Sequence, residues 1–452
     1  MQKVIQHITD KIISIEQENK LFDWQINNVF IWELLRYKIY SSVMIKAGGE
    51  DHSPFIKHRK ILSLKNIVEK TGRLINAIYY NPFLDYAKSD ILVFESSRKL
   101  RFNEQYIDPY TKFIVDDLRK RRFKVTQYQS SYSYDKLSER DFSIKHLDLI
   151  YFISLYISRF FKLKFSDEET RQIKKIERTL NNEFDMSFDL IRLIRKEILI
   201  FKNTLFYFEA ILKKKKPIEI YIVNFCDKTA LICAAKRNNI KVIDIQHGLI
   251  SSSDIIYHYP NIKEGSLKYF PDQFYIWSKI WKETCKIPIK ESDIIVYGNR
   301  YLDAQSKKYL HVIKRTNQIL IVSQPSLTKL IATAILNYTD QLKDYQVLYK
   351  LHPAEYENAQ SFPELNELKK IANISFVSKL ENFYEKLAES KFVIGIYSTA
   401  LIEAISFQCQ VLLLDLPGVE MMKPFIDNKM VKMYTPECLH DKDIIDFNKH
   451  TF

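Results

Sequence analysis

Three short runs hold residue types from which a reactive site can be built. The first is Gln246-His247-Gly248, directly after the apolar run KVIDI. An imidazole there can act as a general base or, when protonated, as a donor to phosphate. The second is Lys350-Leu351-His352-Pro353-Ala354-Glu355. Pro353 has no N–H to give and ends the strand before it, which holds His352 at the sheet edge as a phosphate donor. Glu355 is then either a carboxylate at a helix start or an acceptor for a hydroxyl. The third is GIYSTALIEA at 395–404. Ser398 and Thr399 cap an apolar helix, and hydroxyls beside free backbone N–H groups make an anion seat without a glycine loop. Glu403, one turn on, can accept from ribose hydroxyls. Each run also has a plain structural reading: a strand-end histidine, an ordinary N-cap, and a carboxylate offsetting the helix dipole.

Weaker candidates surround these. Glu95, Ser97, Arg98 and Arg101 follow the first strand, with Asp108 near. Asp254 and His258 lie in the loop after Gly248, Asn299 and Arg300 follow a later strand, and Asp415 ends the last one. Neither a DxD triplet nor a His/Cys cluster supports a metal, so the expected chemistry is metal-independent.

Alternating strands and helices must position these groups. Apolar runs at 90–94, 124–128, 218–223, 241–245, 273–277 and 293–297 read as strands of a first lobe. Runs at 318–322, 345–351, 374–377, 391–395 and 410–414 read as strands of a second. Continuous apolar strands separated by helices are the mark of parallel sheets buried on both faces. Such sheets bind ligands beyond the carboxyl ends of their strands, where the three runs lie. The expected class is α/β with two Rossmann-like lobes facing a cleft. The divisions are a helical extension at 1–88, an N-terminal acceptor lobe at 89–305, a C-terminal nucleotide-donor lobe at 306–430, and a polar, helical tail at 431–452. Helical sequence capped by Ser166–Glu169 runs to about 208 with a break near Asn181-Asn182.

The 452 residues suit two domains. The formal charge of +13 fits nucleic acid, an anionic membrane face or an acidic small substrate. Without a nucleic-acid-binding signature, no nucleic-acid partner is expected. Five irregularly spaced cysteines suit a reducing compartment, and MQKVIQHITDKII lacks the apolar core of a signal peptide. The expected location is cytoplasmic, with peripheral attachment to the inner membrane face through the basic stretch 57–73 as one option. The run 149–161 is apolar and aromatic but too short to span a bilayer.

IDIQHG, PDQFYIW, VYGN, KLHPAE and GIYSTALIEA, with FIWELLR at 30–36, together resemble bacterial surface-polysaccharide glycosyltransferases of the GT-B fold. The likeness is nearest to capsule synthesis proteins related to Kdo, sialyl and pseudaminyl transferases, and covers roughly 218–430. It implies that His352, Ser398 and Thr399 contact phosphate and Glu403 the ribose. Glu355 and Asn299 join that donor set. It also implies a CMP-activated acidic sugar as donor, an oligosaccharide or glycolipid acceptor, capsule assembly proteins as partners, and inverting transfer without a cofactor. The acidic motif that supplies the base in the sialyltransferase-like members has no match here, so the base stands open among Glu95, His247 and Asp254. UDP- or GDP-sugar use, CDP-glycerol-type transfer, epimerisation of a nucleotide sugar, and a non-enzymatic basic binding role are the competing readings.

Overall fold

The computed structural model describes residues 2–46, 75, 77–130, 144–253 and 255–439. The basic stretch 57–73, Asp254 and tail residues 440–452 lie outside the described residues.

Two parallel sheets carry the chain. In the first lobe the strands are β1 (Ile91–Phe94), β2 (Val125–Gln129), β3 (Ile144–His146), β4 (Glu219–Val223), β5 (Lys241–Ile245), β6 (Gln273–Ile276) and β7 (Ile294–Val296). Their order is β3-β2-β1-β4-β5-β6-β7. The second lobe holds β8 (Arg315–Val322), β9 (Gln346–Lys350), β10 (Ile374–Val377), β11 (Ser390–Gly395), β12 (Gln410–Leu413) and β13 (Lys432–Met433). Its order is β10-β9-β8-β11-β12-β13. Both repeat the doubly wound order 3-2-1-4-5-6, whose strand direction of travel reverses once and opens a crevice at that point. All pairings within the two sheets are parallel. The expected α/β architecture of two Rossmann-like lobes is thus the architecture of the chain.

Helices cover the sheets. Those used below are α1 (Gln2–Glu18), α2 (Ile31–Lys46), α3 (Lys112–Lys120), α4 (Asp148–Phe160), α5 (Asp167–Phe184), α6 (Leu190–Lys215), α7 (Thr229–Arg237), α8 (Arg300–Lys308), α9 (Thr328–Asn337), α10 (Phe383–Glu389) and α11 (Thr399–Ser406). α5 starts at a capping box: the Glu169 N–H donates to Ser166 Oγ at 3.1 Å, and the Ser166 N–H to Glu169 Oε2 at 2.8 Å. The break before α6 falls at 185–189 rather than at Asn181-Asn182. Asn181 stays helical and its side chain ties the turn, accepting from the Phe188 N–H at 2.7 Å.

Three expectations need correction. The extension expected to be helical over 1–88 is not helical throughout: Gln25–Ile26 and Val29–Phe30 form a hairpin. Asn27 and Asn28 turn it at φ of 52° and 63°, a double left-handed step that asparagine tolerates. The opening helices are also no separate extension. Ile8, Ile12, Trp32, Leu35 and Ile39 share one buried core with strands of the first lobe. The tail does not begin at 431 as polar helix either. β13 pairs with β12, and Tyr434, Cys438 and Leu439 are buried in the second lobe.

A cleft between the lobes and its candidate site

A cavity of about 1040 Å³ lies between the carboxyl edges of the two sheets. Its first-lobe wall includes Arg98, Leu100, His247, Gly248 and Leu249. Its second-lobe wall includes Ser323, Gln324, Lys350, His352, Tyr397, Ser398, Thr399 and Glu403. His247, His352, Ser398, Thr399 and Glu403 therefore meet in one space, as their strand-end positions require.

The expected anion seat falls at the start of α11. β11 runs through Gly395, where an added Cβ would meet the Leu401 side chain at 3.0 Å and the Val322 carbonyl at 3.4 Å. Ser398 occupies the N-cap in extended conformation, φ −168° and ψ 160°, without a side-chain cap bond. Its Oγ is buried and has no hydrogen-bond partner among the described residues. A buried hydroxyl left over at a helix start is costly unless a ligand meets it. Leu401, Ile402, Ala404 and Ile405 anchor the helix below, the full burial of each large side chain contributing roughly 1.5–3 kcal/mol. Gly418 lies against the Tyr397 ring. Its φ is +113°, and a Cβ there would stand 1.8 Å from the Tyr397 ring, so only glycine lets that ring lie against the turn.

His352 is exposed and lines the cleft. Its Nδ1 accepts from the Ala354 N–H at 3.2 Å. That bond places the ring proton on Nε2, which makes the outer nitrogen a donor. Glu355 stands outside the cleft wall and is buried. Its carboxylate accepts from Ser323 Oγ at 2.7 Å, Thr328 Oγ1 at 2.5 Å and the His352 N–H at 2.5 Å. The carboxylate ties the ends of β8 and β9 to the start of α9, so Glu355 positions His352 and has its acceptor capacity spent on the fold. Lys350 lines the cleft beside it and donates to Tyr356 at 2.5 Å.

The turn that presents His247 is set by its neighbours. Gln246 accepts from the Trp277 N–H at 2.9 Å and donates to the Gly248 carbonyl at 2.9 Å, while Trp277 Nε1 donates to the Gln246 carbonyl at 3.1 Å. This explains why QHG and the QFYIW run belong together. His247 Nδ1 is buried, with no hydrogen-bond partner among the described residues. Burial, with Lys228 and Arg98 pushing the same way and Asp227 opposing, lowers its pKa to about 4. Behind it, burial raises Asp244 to about 7 against the Tyr257 hydroxyl, Lys228 and the Ile245 N–H. Tyr257 donates to Asp244 at 2.9 Å.

These two groups have opposite effects on stability. Asp244 keeps its proton up to about pH 7 in the fold but only to about 3.9 when unfolded, so its contribution falls as pH rises across that window. His247 takes a proton only near pH 4 in the fold but near 6.5 when unfolded, so its contribution rises with pH from 4 to 6.5. The two slopes oppose, each bounded by about 1.4 kcal/mol per pH unit. Asp244→Asn is expected to leave a melting temperature that climbs with pH between 4 and 6.5 relative to the parent. His247→Gln should make it descend. Thermal melts across this range check it, and curves parallel to the parent would refute it.

Glu403 lines the cleft, where burial raises its pKa against Arg98 and the Tyr384 hydroxyl. Arg98 acts on it electrostatically from the first lobe and donates to Tyr110 at 3.0 Å. The first-lobe carboxylates Glu95 and Asp108 are off the cleft wall. Glu95 is buried, paired with Lys99 and accepting from Gln127 Nε2 at 2.5 Å. Asp108 is buried and accepts from the N–H groups of Tyr110 at 2.8 Å and Thr111 at 3.1 Å. Asn299 caps α8 by accepting from the Leu302 N–H at 3.1 Å. Arg300 pairs with Asp117 at 3.3 Å, and His258 Nδ1 accepts from the Lys286 N–H at 3.2 Å. Ser97, Arg101 and Asp415 are exposed and off the wall. Among the described residues no group of three or more His, Cys, Asp or Glu could hold a metal ion.

The cleft also has a wall absent from the sequence reading. Tyr37, Tyr40, Ser41 and Met44 of α2, with Ile5 of α1, face it.

No protein-family model matches the chain, and no curated protein does. Solved structures are similar at low identity. UDP-GlcNAc 2-epimerase from Methanocaldococcus jannaschii is 13% identical, over 77% of this chain and 90% of that one, at a TM-score of 0.44. The Neisseria meningitidis UDP-GlcNAc 2-epimerase bound to UDP-GlcNAc is 14% identical, over 77% and 87%, at 0.45. MurG from Acinetobacter baumannii is 10% identical, over 79% and 92%, at 0.44. At such values the similarity assigns neither substrate nor residue roles.

Proposed function

We propose that this protein transfers a sugar from a nucleotide-activated donor to a hydroxyl of a surface-polysaccharide acceptor, an oligosaccharide or glycolipid. The observation that carries this is the unpartnered Ser398 hydroxyl at the start of α11, in the same cleft as an uncharged His247 on the other lobe. A helix start with a spare hydroxyl suits a phosphate. Thr399 and His352 complete the phosphate contacts, and Glu403 accepts from the ribose. Arg98, Lys350 and Lys379 give the wall three cations against Glu381 and Glu403, which favours an anionic donor. An acidic sugar on CMP fits that balance, with Arg98 opposite its carboxylate.

The step is one displacement. The acceptor oxygen attacks the anomeric carbon, the bond from that carbon to the phosphate oxygen breaks, and the acceptor proton passes to His247. Charge left on the phosphate meets His352 Nε2–H and the α11 N-terminus. Burial beside Lys228 makes a charged His247 costly, so the proton moves late, once bond formation has acidified it. Of the three base candidates, His247 alone is both described and on the cleft wall.

The test is a screen of the purified chain for thermal stabilisation by CMP, UDP, GDP and CDP, followed by turnover of the matching nucleotide sugar with and without acceptor glycan. Stabilisation by a cytidine nucleotide and acceptor-dependent nucleotide release are expected. No stabilisation by any nucleotide would overturn the reading, as would conversion of the donor to an isomer without acceptor.

A further inference from the structure

α4 is a surface helix with apolar residues on both faces. Inward, Ile150 and Ser154 are buried against α6, and Asn203 of α6 donates to Ser154 Oγ at 2.7 Å. Outward, it presents Phe152, Leu155, Tyr156 and Phe160, spaced i, i+3, i+4 and i+8, with Phe161 next. α6 runs antiparallel to it, since Arg195 Nε also reaches the Leu163 carbonyl at 3.1 Å. That sets Phe206 of α6 beside the first turns of α4. These six side chains are each between 38% and 66% exposed. A surface helix ordinarily turns polar residues to water, and a continuous apolar stripe in their place marks a binding face.

The charges around this stripe indicate what binds. Residues 149–166 contain Arg159, Lys162 and Lys164 and no Asp or Glu. All three cations are exposed, and Lys202 is exposed one turn before Phe206. Aromatic side chains flanked by cations, without an acid between them, match the boundary between lipid headgroups and acyl chains. The core of a protein interface is by contrast depleted in lysine. The 13 residues of α4 extend only about 20 Å, short of the roughly 30 Å hydrocarbon core. No described helix is long and apolar enough to cross a membrane.

We infer that this face seats the first lobe on an anionic bilayer. The aromatic stripe enters the headgroup boundary, and Arg159, Lys162, Lys164 and Lys202 meet lipid phosphates. The inference does not depend on the sugar-transfer reading, because the face stands apart from the cleft wall.

Co-sedimentation of the full chain with vesicles tests it. Binding is expected to vesicles of phosphatidylglycerol mixed with phosphatidylcholine, to weaken with added salt, and to be far weaker on phosphatidylcholine alone. Lys162→Gln with Lys164→Gln removes two surface cations and should weaken partitioning about thirtyfold. Phe152→Gln with Phe160→Gln should weaken it at least tenfold at either salt concentration. All four side chains are exposed, so melting temperature and any nucleotide binding should stay at the parent values. Failure of the parent to bind anionic vesicles would overturn the inference. So would variants that bind as well as the parent. A parent that is a dimer in solution, broken by the phenylalanine pair, would reassign the face to contact between copies.

Discussion

His352→Ala is expected to lower donor turnover on the order of 10²–10³-fold while leaving the fold intact. The argument rests on how the side chain is held. His352 is exposed in the cleft, and the hydrogen bond from the Ala354 N–H to its Nδ1 is a local turn contact. Losing it costs about 1 kcal/mol or less. The loss in rate comes from Nε2, whose proton would meet charge that grows on phosphate only as the sugar leaves. An interaction gained in the transition state is read in kcat more than in KM. His352→Asn keeps a side-chain donor near the same place and should recover part of the rate. Glu355→Ala is the instructive contrast. It removes the acceptor shared by Ser323 Oγ, Thr328 Oγ1 and the His352 N–H and unties the ends of β8 and β9 from α9, so melting temperature and turnover should fall together. Steady-state kinetics beside thermal melts separate the two patterns. Unchanged turnover in a folded His352→Ala protein would remove this residue from the site.

That contrast shows what residue order can and cannot reveal. His352 and Glu355 are three apart and looked like members of one donor set, yet one faces the cleft and the other is enclosed. The strand ending at Lys350 was legible because β9 is buried on both faces and reads as an apolar run. Which way each residue of the following turn points depends on Ser323 and Thr328, about thirty positions earlier. Glu95 follows the same logic. It follows β1 where a base would be useful, but Lys99 lies four residues on and Gln127 comes from the neighbouring strand. Lys99 was a usable signal; Gln127 was not, because strand pairing is a tertiary fact. β3 was missed because IKH is three residues long with a polar centre. The cleft-facing side of α2 was hidden for another reason. Tyr37, Tyr40 and Met44 repeat at helical spacing, and that pattern is the same whether the helix packs on a core or lines a cavity.

The other large effect concerns FIWELLR, the segment that joins the opening helices to the first lobe. Arg36→Ala should destabilise the chain by about 3–5 kcal/mol. The guanidinium is almost wholly buried, with Nε 2.6 Å from Glu16 Oε1. It also donates to the Ile255 carbonyl, donates to the His258 carbonyl at 2.9 Å, and stacks 4.0 Å over the Tyr259 ring. Trp32 Nε1 donates to the same Glu16 oxygen at 2.8 Å. Glu33 reinforces the junction by accepting from the N–H groups of Lys268 at 2.9 Å and Tyr269 at 2.7 Å. Removing the cation strands Glu16 as a buried anion and leaves two carbonyls without donors, which costs more than the pair was worth. Arg36→Met with Glu16→Gln removes both charges and should recover much of the loss. Urea unfolding midpoints of the three proteins measure this, and a double variant no better than Arg36→Ala would show that the carbonyl contacts dominate. The carbonyls belong to the loop after His247, so the clamp also holds that loop against α1 and α2. Below the unfolding midpoint, Arg36→Ala should therefore loosen the cleft wall. Amide exchange would be expected to rise at 249–260 and in α2 while β8 to β12 stay protected.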